Sequence, residues 1–153
     1  MIKRCYKIAI AIYTIALLYM MFFGLGREAS DYRFLQVNPF QTIGHFCSAN
    51  IKQQDFLLNI IGNIFVFSPF GMLGIIIKKF LRIRIITLPF VLFIAILELT
   101  QYFTGRGTAD IDDVFLNTFG MMIGVGIMKL WNLLSNFTFQ LYFGDNEKVP
   151  VNS

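Results

Sequence analysis

Nine polar side chains in this chain have the types and spacing to do chemistry: Asn59, Asn63, Glu98, Gln101, Arg106, Asp110, Asp112, Asp113 and Asn117. Asp110-x-Asp112, with Glu98 upstream, offers the oxygen ligands that hard cations such as Mg²⁺ or Ca²⁺ take. Arg106 would suit a phosphate beside them. No Ser-His or Cys-His pair supplies a nucleophile, and the single histidine, His45, falls in a connection and reads as a solvated side chain. A binding pocket for a cationic group is therefore the first reading, and metal-assisted catalysis on a lipid phosphate the second. No metal or other cofactor is assigned; Glu98, Asp110 and Asp112 are the residues that would hold one.

The surroundings of these residues are almost purely apolar. The chain is 56% hydrophobic and only 14% charged, against about 25% in a soluble domain. Eighteen phenylalanines suit lipid contact better than an aqueous core. An integral membrane protein follows, and ionisable groups inside one are costly and mark a site. The formal charge of +4 is then read by position, and no nucleic-acid partner is expected. Cys5 and Cys47 flank the first apolar run, so they face opposite compartments and form no intramolecular disulfide.

Four helices must position the polar set, in an all-α bundle. The first apolar run, Ile8 to Gly24, falls in the ~17–25-residue range of a spanning helix. Its basic start and Gly24-Leu25-Gly26 also imitate a signal peptide and its cleavage site. The length of the run, with Tyr13 and Tyr19, favours a retained helix. Residues 25–56 form a long outer connection with balanced charges. Its apolar members, Phe34, Leu35, Val37, Phe40, Ile43 and Phe46, place part of it on the membrane or over the helix ends. Asn38-Pro39-Phe40 is a turn signal within it.

A second span is expected from Leu57 to about Ile77, with Asn59 and Asn63 on one face. Pro69 removes a backbone donor there, so Ser68 or a neighbouring helix must compensate and the helix should kink. Gly71 and Gly74 allow a close backbone approach. The third span runs from about Ile85 to Phe103, turning polar along Glu98, Gln101 and Tyr102. Six residues, Thr104 to Ala109, then make it an antiparallel neighbour of the fourth, from about Asp110 to Leu134. On that last helix Asp113, Asn117, Gly120 and Gly124 form one stripe, polar above and Gly-x-x-x-Gly below, a close-packing face in membranes. Lys129 and Trp131 mark the far interface.

Lys3, Arg4, Lys7, Lys78, Lys79, Arg82, Arg84, Lys129 and Lys148 fall on one side of such a bundle; Arg27, Arg33, Lys52 and Arg106 fall on the other. Cation-rich short segments stay inside. Both termini are then cytoplasmic: a basic N-terminus at 1–7, a membrane domain at 8–134 and a tail at 135–153. The polar residues of three helices meet in the outer layer. Their plainest role is structural, with an aspartate capping the last helix and the amides bonding between helices. Glu98 fits that role least, because it lies deep enough to need protonation, pairing with Arg106 or hydration.

Asn38-Pro39-Phe40, Asn59 with Asn63, Phe67-Ser68-Pro69-Phe70-Gly71, Glu98 with Gln101, and Gly105-Arg106 through Asp110-x-Asp112-Asp113 to Asn117-x-x-Gly120-x-x-x-Gly124 resemble the motifs of VanZ-like membrane proteins. The resemblance covers about Asn38 to Gly124. It implies a multi-pass bacterial cell-membrane protein with a link to the envelope or glycopeptide response, since the family is named for proteins that lower susceptibility to teicoplanin. The partners expected are membrane lipid and a lipid-linked cell-wall precursor or lipoglycopeptide.

Overall fold

The computed structural model describes residues 2–24, 28–46 and 57–134, and three of its helices are long and apolar enough to cross a membrane. The first is α1 (Ile2–Phe23), which takes the basic residues at its start into the helix. The connection after it carries a two-residue strand, β1 (Leu35–Gln36), and a short helix, α2 (Gln41–Phe46). Residues 57–75 form a composite helix. It opens with a wide π turn (Leu57–Ile61), continues as α3 (Gly62–Phe67) and tightens into a 3₁₀ stretch (Ser68–Ile75). A basic 3₁₀ turn (Lys78–Leu81) leads into α4 (Ile83–Thr104), followed by β2 (Ala109–Asp110) and α5 (Ile111–Leu134). Expectations about Cys47, Gly24-Leu25-Gly26 as a cleavage site and the tail at 135–153 fall outside the described residues.

A regular helix from Leu57 to Ile77 is not what forms; the change of geometry sits at Ser68-Pro69. Proline has no N–H to give. In the 3₁₀ register that starts here, Phe70 N–H turns to the carbonyl three residues back, and the Val66 carbonyl loses its donor. The Tyr13 hydroxyl from α1 donates to it at 2.7 Å. The Ser68 hydroxyl donates to the Phe65 carbonyl at 2.9 Å, and the Tyr6 hydroxyl to the Pro69 carbonyl at 2.8 Å. Both compensations, from Ser68 and from a neighbouring helix, are present.

The glycine stripe brings two backbones into close contact. A methyl group on Gly120 would strike the Ile64 carbonyl, and one on Gly124 the Ser68 carbonyl. Gly71 answers from the other side, facing the backbone of Met121 and Val125. Around this seam Phe67, Phe70, Phe90, Ile94, Met121 and Val125 form the core, with Phe67, Phe70 and Phe90 meeting in pairs at 5.8–6.0 Å. Gly74 faces Leu81 instead, closing the turn into α4.

α4 ends where the chain can reverse. Gly105 takes a left-handed φ of 68°, with its N–H on the Tyr102 carbonyl and Arg106 N–H on the Gln101 carbonyl, the paired bonds of a Schellman ending. Its own carbonyl accepts Ser30 N–H at 2.9 Å, and a side chain there would collide with Ser30. β2 then pairs in parallel with β1, Leu35 opposite Ala109 and Gln36 opposite Asp110. The connection after α1 is thereby stitched to the end of the bundle where α4 stops and α5 begins.

Candidate functional site

The polar end is assembled from the start of α5 outward. Asp110 stands just before this helix, and its Oδ1 accepts Asp112 N–H at 2.9 Å, the bond of an N-cap. Its Oδ2 accepts the Thr42 hydroxyl at 2.5 Å. Its backbone N–H donates to Glu98 Oε2 at 3.2 Å. Glu98 is 5% exposed, so it turns into the bundle rather than toward lipid.

Asp112 is fully buried. Oδ1 accepts Phe40 N–H at 2.6 Å and Oδ2 accepts Ile43 N–H at 3.0 Å. It thus caps the N-terminus of α2, a helix about seventy positions earlier, where the Phe40 and Ile43 amides have no acceptor within the helix. Phe40 takes a left-handed φ of 63° to present its N–H there. Asp113, one residue on, faces another way: its Oδ1 accepts Asn63 Nδ2–H at 2.8 Å, joining α5 to α3.

Gln101 and Arg106 serve the end of α1. Gln101 Nε2–H donates to the Met21 carbonyl and Arg106 Nη1–H to the Phe22 carbonyl, each at 3.2 Å. The Arg106 guanidinium also lies 4.6 Å from the centre of the Phe23 ring. These are orphan carbonyls of a helix C-terminus, satisfied from α4 and the loop after it. Arg106 therefore packs on α1. One turn below Asp113, Asn117 is 2% exposed, and its Oδ1 is buried with no hydrogen-bond partner among the described residues.

The structure thus brings Asn63, Glu98, Gln101, Arg106, Asp110, Asp112, Asp113 and Asn117 to one end, while Asn59 is exposed at the opening of the composite helix. Asn38, Pro39 and Phe40 form the turn into α2, where Gln41 N–H reaches the Asn38 carbonyl. His45 lies in α2 rather than in an irregular loop. Among the described residues no three His, Cys, Asp or Glu side chains gather in a way that would hold a metal ion. Sequence reasoning missed Tyr6, Tyr13, Thr42 and the amides of Phe40 and Ile43. The two tyrosines were visible, seven apart on one face of α1; the amides left no signal in side-chain type.

Long lipid-suited helices, a glycine seam and one hydrogen-bonded acidic end define a helical membrane protein. The VanZ/LLP1 family model matches residues 10–132, and the chain belongs to that family. No curated protein and no solved structure matches it.

Proposed function

We propose that the protein is a four-crossing bacterial cell-membrane protein whose acidic end faces the exoplasm and engages the cationic part of a lipid-anchored envelope ligand. Through that contact it lowers susceptibility to lipid-bearing glycopeptides such as teicoplanin. The observation that carries this reading is Asp113, half-buried beside Asn63 at the helix end under which Glu98, Asp110 and Asp112 are buried. Family membership and the cation-rich opposite side support the orientation.

Within the cluster the work is divided. Asp110 and Asp112 are buried and spend their oxygens on the fold. Asp113 and Asn63 are half-buried and Asn59 is exposed, so the ligand meets this face. A metal-assisted enzyme on a lipid-linked phosphate stands second, because Asp110 and Asp112 already accept four hydrogen bonds and Arg106 is committed to α1.

A deletion strain assayed against teicoplanin and vancomycin side by side tests the reading. Selective sensitisation to teicoplanin is expected, restored by the wild-type chain but not by Asp113→Asn at equal membrane level. Unchanged susceptibility to both drugs overturns it.

A further inference from the structure

We infer that the segment from Tyr32 to Phe40 is a membrane-surface anchor, seated among the phospholipid headgroups and upper acyl chains at the polar end of the bundle. Its apolar side chains are left uncovered: Tyr32, Phe34, Leu35, Val37 and Phe40 are all exposed, Phe40 to 66%. Its polar groups, by contrast, satisfy one another. Gln36 Nε2–H and Asn38 Nδ2–H both donate to Gln41 Oε1, at 2.8 and 3.1 Å, and Asn38 N–H donates to Gln36 Oε1 at 3.1 Å. The Phe34 carbonyl accepts Ala109 N–H, and Phe40 N–H is held by Asp112. Exposed hydrophobes beside side-chain amides that bond to one another suit a segment lying at the headgroup/acyl boundary, where apolar groups enter lipid and hydrogen bonds closed locally lower the cost of approach.

The bilayer is singled out as the occupant by continuity with the lipid-facing side of α5. Phe115 and Phe119 are four apart on that side and both exposed. The Phe40 ring stacks on Phe115 at 5.8 Å and 9° between planes, extending the same aromatic stripe beyond the helix end. Aromatic rings collect at this depth of a membrane. The left-handed Phe40 backbone, clamped by the buried Asp112, is what turns the ring onto α5. Arg33, exposed beside Tyr32, is placed for headgroup phosphate.

The test uses the full chain in phosphatidylethanolamine/phosphatidylglycerol vesicles. Trp131 is the chain's single tryptophan, so Trp131→Phe gives a silent background for Phe40→Trp and, separately, Leu35→Trp. Both reporters should show blue-shifted emission, lose most of it to lipids brominated near the headgroup, and resist acrylamide. Aqueous emission quenched by acrylamide and untouched by brominated lipid overturns the anchor. Protection that appears only at high protein-to-lipid ratio, without lipid quenching, assigns the surface to a second copy and overturns it equally. Should Phe40→Trp fail to insert, Leu35→Trp decides alone. Teicoplanin susceptibility does not enter, so this result and the ligand reading stand or fall separately.

Discussion

Asp112 holds the Phe40 amide at 2.6 Å across 72 positions of sequence, and its other oxygen takes Ile43. One buried carboxylate thereby ties the connection after α1 to the first turn of α5. Both of its oxygens accept from backbone amides at the start of α2.

Removing the carboxylate should release α2 while leaving the seam of the bundle intact. Hydrogen bonds to charged groups contribute about 1.5–3 kcal/mol each. For Asp112→Ala we expect amide hydrogen exchange at Phe40 and Ile43 to rise by roughly tenfold or more. Amides of α5 beyond Gly120 should not change. Asp112→Asn, which keeps one acceptor oxygen, should fall between the two. Unchanged exchange at Phe40 in Asp112→Ala would show that the clamp is not what holds α2.

The glycines make a sharper contrast. Gly71, Gly120 and Gly124 leave no room for a methyl group, whereas a Cβ on Gly126 meets nothing within 4 Å. Overpacking a tight contact costs about 1–3 kcal/mol or more. Gly120→Ala and Gly124→Ala should lower thermal stability in detergent and reduce membrane levels, with Gly126→Ala neutral. If Gly126→Ala is as harmful as Gly124→Ala, backbone flexibility rather than contact explains the stripe.

Tyr13 and Pro69 should be coupled. Without its hydroxyl donor the Val66 carbonyl is stranded, and a single interhelical hydrogen bond in a membrane averages about 0.6 kcal/mol, reaching about 1.7. Tyr13→Phe should destabilise by that order. In Pro69→Ala a backbone N–H returns to the helix, and the same Tyr13→Phe change should then cost less. Strict additivity in that double-mutant cycle would count against the compensation.

How much of this was legible depends on the range of each relationship. The Gly120/Gly124 stripe and an aspartate cap on the last helix are local, written in spacings of one to four residues; the cap falls to Asp110, and at Pro69 the helix changes to 3₁₀ geometry where a kink was expected. The meeting of Asn63 with Asp113 followed from the alternation of spans, which starts the second and the fourth from the same side. Asp112 read as one more acid of the same cluster. Its partners are main-chain amides far away in sequence, and an amide carries no mark of its residue type. Arg106 is less legible for a related reason: its charge suggested phosphate, and the structure adds the Phe22 carbonyl of α1 and the Phe23 ring to its contacts.

The composite helix bears directly on the number of crossings. Residues 59–75 are apolar but shorter than the three long helices, and a regular helix over 57–75 would reach only about 28 Å. A 3₁₀ stretch rises about 2.0 Å per residue, so eight residues in that form add roughly 4 Å, partly offset by the wider π turn at Leu57–Ile61, for about 30 Å in all. That matches a hydrocarbon core of about 30 Å. Pro69 would then do more than kink the helix: by holding the 3₁₀ register it stretches a short segment to a full crossing. With this segment as a crossing, a reporter active only in the cytoplasm should be active when fused after Lys79 and after Leu134, and silent when inserted after Glu28. The same reporter state after Glu28 and after Lys79 would mean that residues 57–75 do not traverse the bilayer. Four crossings, and with them an exoplasmic acidic end, would then be lost together.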